Sequence, residues 1–551
     1  MKHAGLLLAL ALFVPAGLAG DETDPFSDTW KRRHAPEDDA WKSASQELIF
    51  NNNAEPETLD PAIMTGVTEH TLALALYEGL VSHDPETLGP RPGVAARWEI
   101  SEDGKVYTFH LRKNARWSNG DPVTAEDFRW SWFRALSEPE SDYAYLFFYV
   151  EGAQAYRKAT LGKKADYEAF QRQVEVDVVD ARRLRVTLTT PTPYFLDLCA
   201  FETYMPVHRA TVEKHGKNQW TRPGNWVGNG PFSLKVWSPR QHIIMEPNPQ
   251  YWDAAFVKLT KITALPVDEQ DVAYNKFVNG EAHWIRTVPT SKIDDAKRRP
   301  EYFVTPYLGS YFYRFNVTRP HLKDKRVRQA LSLAVNRETI TRDVLRAGQV
   351  PATWFCPPIA SAGYEPPKGW AYDPDRARRL LGEAGYPGGR GFPKLTLFYN
   401  TQEDHKRVAE RIAQMWRETL NINISLQNAE WQVYLNQVEQ KDYDIARAGW
   451  IGDYGDPMTF LDMWVTERGN NNTGWSNARY DELIDRANNE PDAKKRIAIL
   501  REAERIVTED EFPIIPIYIY VNQGMKVDGL QGWYETVRDL HPFKYMYFEP
   551  E

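Results

Sequence analysis

From Tyr311 to Leu426 the chain alternates strand and helix patterns, and this alternation restricts the fold more than any other feature. Tyr311 to Asn316 reads as an aromatic strand. Asp324 to Val344 reads as one long helix with Val327, Ala330, Leu331, Ala334 and Val335 on its buried face. A second helix begins near Pro374, capped by Asp373 and closed at Gly385. Phe392 to Asn400 is a strand, Asp404 to Leu420 an amphipathic helix, and Ile422, Ile424 and Leu426 alternate along the next strand. Strand, helix, strand in succession specifies an α/β domain. With 551 residues the chain exceeds one ordinary core, so two or three domains are expected.

The other half is patterned differently. Glu47 to Asn51 starts ordered structure, and Thr68 to Leu80 carries a helical apolar pattern. Tyr107, Phe109 and Leu111 alternate as one strand face. Thr124 is an N-cap with Asp127 as its reciprocal capping residue; Phe128, Trp132 and Leu136 then recur at helical spacing, which reads as core. Arg185 to Thr189 is another strand, and residues 90–190 read as a compact insertion. Ile514 to Tyr520 is an apolar strand interrupted at Pro516, and the last thirty residues have little periodicity.

Lys2, an apolar run from Gly5 to Val14 and Gly17-Leu18-Ala19 make residues 1–19 a cleavable secretory signal, too short to span a bilayer. Residues 20–45 read as a flexible leader. Export permits a disulfide between Cys199 and Cys356, but separate buried thiols are an equal reading. A net charge of −9 without a Lys/Arg block argues against nucleic-acid binding.

No catalytic or nucleotide-binding motif appears, and no metal or cofactor is expected; His208 and His215 read as surface histidines. Asp442, Asp444, Asp453 and Asp456 leave a glycan hydrolase with paired carboxylates as the competing class. Within Ala446 to Leu461, Trp450, Asp453 and Tyr454 stand between glycines, which permit close backbone approach. Asp453 suits an ammonium and Arg447 a carboxylate, so the stretch fits a dipolar ligand; a tight turn with a buried Trp is the bland alternative.

Several runs together carry a family likeness. They are Leu59-Asp60-Pro61, Tyr77-Glu78-Gly79-Leu80, Trp117 to Phe128, Asn229 to Phe232, Asn248 to Trp252, Arg326 to Leu331, Ala446 to Trp450 with Asp453-Tyr454, and Asn471-Asn472-Thr473. From about residue 46 to 551 the chain resembles the oligopeptide-binding proteins of ABC importers. The resemblance implies an α/β, periplasmic-binding-protein-like fold, with two large lobes around a cleft plus a third inserted domain. Lobe I would comprise 46–77, 190–308 and 521–551; the inserted domain II, 78–189; lobe III, 309–520. Hinges would lie near 308 and 520.

Carried over by resemblance, Asp453 pairs with a peptide α-ammonium, and backbone around Val67, Gly449 and Ile451 bonds the peptide main chain as an added strand does. Arg447 and His405 match positions that meet C-terminal carboxylates. Trp431, Trp450, Asn400 and Tyr520 match pocket walls, with Tyr143 or Tyr145 as another, and Asn471 completes the motif series. Thr65 stands where the family usually has Glu, Val438 where it has a pocket Arg, and Leu345 where it has Lys. Gly309 and Ile451 match positions that some members join by a disulfide. The implied function is capture of short oligopeptides in the periplasm by a monomeric protein that is not an enzyme and not inserted in the membrane, for delivery to an inner-membrane ABC permease. A dipeptide, a murein peptide or a non-peptide solute is the alternative.

Overall fold

The computed structural model describes residues 39–359, 362–467, 470–490 and 492–550. The expected signal peptide and leader residues 20–38 lie outside the described residues; Ala40–Ser43 form one helical turn.

An eleven-stranded sheet runs through the molecule. In spatial order its main path is Ile424–Ala429, Leu395–Asn400, Ile445–Ile451, Tyr302–Phe315, Ile514–Lys526, Trp284–Ile285, Glu47–Asn51, Lys261–Leu265, His242–Pro247 and Phe232–Ser238, with Val350–Pro351 attached to Ile514–Lys526. Tyr302–Phe315 and Ile514–Lys526 are the long members, and their antiparallel pair connects the two ends of the sheet. Both exceed the extents expected from sequence. Pro516, expected to interrupt its strand, is carried opposite Phe312 beside a register shift, where a missing N–H is tolerated. A second irregularity separates Pro306 from Ser310.

A separate antiparallel sheet joins Ala95–Ile100, Val106–Leu111, Arg183–Thr187 and Val176–Asp180. Tyr107, Phe109 and Leu111 all face its core. Ala125–Ser137 packs there through Phe128, Trp132 and Leu136, and its first turn is fixed by the Thr124 N–H donating to Asp127 Oδ2 at 2.7 Å. This core merges with Tyr194, Trp450, Tyr454, Phe460 and Trp464, so the second sheet packs on the far side of the stretch around Asp453. A second core unites the helices and strands from Tyr311 to Ile424 with Ile515 and Ile517, and a third lies under Glu47–Asn51 and Val67–Leu76.

The long helix expected from Asp324 to Val344 is broken. Lys325–Leu333 starts on an Asp324 cap, and the chain restarts at Arg337 with the Asn336 side chain accepting from Thr339 N–H at 3.1 Å. Arg337 closes the break by donating to Ser332 O, Val335 O and Pro516 O. Cys199 and Cys356 are both free and buried. His208 is buried, not at the surface, held by Thr211 and Asp121.

Candidate functional site

Ile445–Ile451 supplies the backbone of the site. It pairs with Tyr302–Phe315 on one side, with Gly309 opposite Ile451 and Phe315 opposite Ile445. On its other side Leu395–Asn400 pairs only as far as Ala446. Beyond Ala446 no strand among the described residues pairs with this edge. Gly452 N–H donates to Leu308 O at 2.8 Å, one step along the same register. Antiparallel alternation therefore turns the main-chain groups of Trp450 and Ala448 toward Tyr302–Phe315, and those of Arg447, Gly449 and Ile451 toward the free edge. The Arg447 carbonyl is taken by the Tyr434 hydroxyl, which leaves the N–H and C=O of Gly449 and Ile451. A Cβ at 449 would lie 2.6 Å from Tyr520 Oη, so any side chain there would have to displace that hydroxyl.

The edge opens into a cavity of about 1010 Å³. At one pole Asp453 accepts at 3.2 Å from the Thr459 hydroxyl, which itself accepts from Asp453 N–H at 2.8 Å. Burial, and next the carboxylate of Glu202, push the Asp453 carboxyl up to about 8, against the pull of Arg538 and Thr459. Glu202 is in turn held by His70 Nδ1 at 2.5 Å. At the other pole Arg447 donates to Tyr520 Oη at 2.5 Å and to Asn400 Oδ1 at 3.3 Å, and its guanidinium lies 4.7 Å from the Tyr311 ring centre. Its Nε is buried without a protein partner. His405 stands beside it, 3.5 Å from Tyr311 Oη, and burial followed by the Arg447 charge hold its imidazole well below its ordinary pKa. It is therefore a neutral hydrogen-bonding group, and Arg447 is the cation of the pair.

Thr65, Val67, Tyr143, Asn400, His405, Trp431, Arg447, Gly449, Trp450, Ile451, Asp453 and Tyr520 all line the cavity, as do the departures Val438 and Leu345. Two expected residues do not. Tyr145 stacks behind Tyr143 with ring centres 6.2 Å apart. The Asn471 amide is committed to the carbonyls of Trp464, Val465 and Trp475, so it shapes a loop instead of facing the cavity, while Asn470 and Asn472 on either side of it do line the wall. Sequence reasoning missed Glu202, His70, Arg538, Asp142 and Arg314. None belongs to a motif, and the C-terminal stretch carrying Arg538 lacks the periodicity that would have placed it.

The model of bacterial extracellular solute-binding proteins, family 5, matches residues 89–472. The chain belongs to this family. Family 5 relatives match it nearly end to end. Oligopeptide-binding protein OppA of Bacillus subtilis is 35% identical over 88% of this chain and 89% of its own. The crystal structure of a periplasmic oligopeptide-binding protein from Borrelia burgdorferi superimposes with a TM-score of 0.87 at 34% identity, covering 91% of this chain and 99% of that one. The murein tripeptide binding protein MppA of Escherichia coli gives 0.86 at 34% identity, covering 92% and 99%. Its unliganded open form, at the same identity and covering 92% and 97%, gives 0.61. The conformation of this family 5 protein is thus closer to the former structure than to that open form.

Proposed function

We propose that this family 5 protein captures short peptides in the periplasm by closing its cleft on them, and delivers them to an ABC permease of the inner membrane. The observation that carries the reading is the free edge at Gly449 and Ile451 with opposite charges beyond its ends. A peptide laid there bonds through its main chain, which does not depend on sequence. Its ammonium faces Asp453 and its carboxylate faces Arg447. The strand from Arg447 to Ile451 covers roughly 13 Å at about 3.3 Å per residue, room for about four residues. The names of relatives point the same way, since they include oligopeptide-, dipeptide- and murein peptide-binding proteins. Among the hydrolase candidates Asp456 is paired with Arg496, and Asp442 and Asp444 with Arg319; only Asp453 lines the cavity. That supports a binder and not an enzyme. Export after Ala19 and a monomeric state complete the reading.

Native mass spectrometry of protein taken from its own periplasm tests it. A ladder of masses matching mixed short peptides is expected. Protein that carries no peptide, and whose unfolding temperature no short peptide raises, would sink the reading.

The apolar Val438 and Leu345 support a second reading, one dedicated solute such as a dipeptide, a murein peptide or a non-peptide. A single discrete bound mass would favour it.

A further inference from the structure

Asp453 stands on a loop, not on a strand, and the side chains that fix this loop lie outside the cavity lining. The loop leaves Ile445–Ile451 at Gly452, whose N–H donates to Leu308 O, and ends at Pro457, before the helical turn Met458–Leu461. Arg496, on helix Ala493–Arg505, donates to Asp456 Oδ2 at 2.7 Å and to Asp456 Oδ1 at 2.9 Å, and both side chains are 13% exposed. A bidentate pair fixes orientation as well as distance, because two N–H groups must align with two oxygens. Asp456 Oδ1 also accepts from Met458 N–H at 2.9 Å, and the Asp456 carbonyl accepts from Thr459 N–H at 3.2 Å. Thr459 then bonds both the N–H and the carboxylate of Asp453, and its carbonyl takes the Trp450 indole N–H at 2.6 Å. Every link from Arg496 to Asp453 is thus a hydrogen bond.

The other side of the loop is covered by residues from the core of the second sheet. Tyr454 is buried, and its hydroxyl has no hydrogen-bond partner among the described residues. Its ring lies flat on Tyr194, with centres 4.3 Å and planes 8° apart, so stacking holds it. Tyr149 meets Tyr194 edge-on at 5.5 Å, and its hydroxyl donates to Asp462 Oδ2 at 3.3 Å, just past the helical turn. The Arg496 guanidinium lies 5.9 Å from the Tyr194 ring, so the two holds meet. Tyr149 and Tyr194 share the core of the sheet that contains Arg183–Thr187, yet no residue of that sheet's strands lines the cavity. So firm a hold has a physical reason. A buried carboxylate regains water if its loop swings outward, and burial already pushes the Asp453 carboxyl up to about 8. An unbraced loop would relieve that cost by moving, and the ammonium would lose its partner.

We propose that Arg496 and Tyr194 are positioning residues for peptide capture: from outside the cavity they hold Gly452 to Pro457 so that the Asp453 carboxylate faces the peptide ammonium. The inference rests on the peptide-binding reading and gives the second sheet a part in it. Arg496 acts through Asp456 and Thr459, and Tyr194 acts through Tyr454. The main-chain edge at Gly449 and Ile451 is fixed separately, by the pairing of its strand with Tyr302–Phe315. Loss of either hold therefore costs the ammonium contact and spares the edge.

Competition titration of the whole mature protein with trialanine and N-acetyl-trialanine tests this. The acetylated peptide keeps the main chain and the carboxylate but lacks the ammonium, so the ratio of the two affinities reads the ammonium contact alone. In Arg496→Met the ratio is expected to fall about tenfold, toward that of Asp453→Asn, with the acetylated peptide nearly unchanged. Tyr194→Leu should lower it in the same direction. Arg496→Lys keeps the charge without the fork and should restore part of the ratio. Arg134→Met is the control: it breaks a buried pair with Asp60 outside the cavity lining, and should lower stability without moving the ratio. The ratio compares two ligands on one variant, so a general loss of folding or affinity does not mimic the result. A wild-type ratio in both Arg496→Met and Tyr194→Leu, or an equal loss for both peptides, would overturn the proposal while leaving the peptide reading intact. If Arg496→Met does not fold, Tyr194→Leu and Arg496→Lys decide by the same ratio. Failure of trialanine and every other short peptide to bind wild-type protein would instead overturn the peptide reading.

Discussion

Asp453 meets an ammonium only as a carboxylate, yet burial in the cleft pushes its carboxyl up to about 8. Ligand binding below that pH must therefore expel the proton. The affinity of trialanine is expected to rise with pH between 5 and 7, by up to tenfold per unit, and to level off as Asp453 ionises unaided and the peptide amine, with its pKa near about 8, begins to lose its charge. Titration at pH 6.5 in phosphate and in Tris should give different heats, corresponding to about one proton released; identical heats would refute the linkage. Asp453→Asn should abolish the slope and weaken free-amine peptides by a few kcal/mol, with N-acetylated peptides little changed. The same shift runs the other way for folding. A raised carboxyl pKa means the ligand-free protein loses stability as pH climbs from about 4 to 8, so Asp453→Asn should raise its unfolding temperature more at pH 8 than at pH 5. Asp453 was legible because glycines and an aromatic frame it in sequence. Its burial, and after that the opposing charges of Glu202 and Arg538, come from segments hundreds of residues apart, and a group's neighbours across a fold leave no trace in local spacing.

Gly309 and Ile451 face each other as a pair whose main chains do not bond one another, the arrangement that brings Cβ atoms closest in an antiparallel sheet. A Cβ at Gly309 would lie 2.4 Å from the Ile451 Cδ1, so the substitutions must come together. Gly309→Cys with Ile451→Cys should form a disulfide on export, visible as loss of free thiol, and raise the unfolding temperature by several degrees. The chain-entropy ceiling for so long a loop is about 5 kcal/mol, and strain takes part of it. No rise, or unreacted thiols, would show that the register is wrong. Strands and helices with clean periodicity were legible, the capped helix after Thr124 among them. The break at Asn336 was not. Its apolar spacing continues through the interruption, and what ends the helix is the Arg337 side chain satisfying carbonyls that include one on a distant strand. Pro516 misled for a similar reason: a proline argues locally against a strand, but the register shift beside it removes the conflict.

Residues 290–297 touch the strand–helix half of the chain: Thr290 bonds Asp404, Asp294 pairs with Arg346, and Lys297 Nζ donates to the Arg346 carbonyl at 3.0 Å. The Asp294–Arg346 pair is exposed and worth at most about 1 kcal/mol. Arg346→Ala should accordingly speed peptide release by two- to fivefold in stopped-flow measurements and leave association nearly unchanged. An unchanged release rate would mean these contacts do not hold the proposed closed state. The α/β class was legible from one half of the chain. That a single sheet would continue from one end of the molecule to the other was not, since the pairing of Tyr302–Phe315 with Ile514–Lys526 joins segments some two hundred residues apart. The connection at the expected hinges is a ribbon two strands wide, with irregular pairing between Pro306 and Ser310. Such a ribbon flexes easily across its face and resists shearing in its plane. If the cleft closes as proposed, the gape of its two sides is nearly a single mechanical coordinate, like the opening of a caliper. A membrane partner that touches both jaws from outside could gauge whether the cargo is seated from their spread alone, without contacting the cargo.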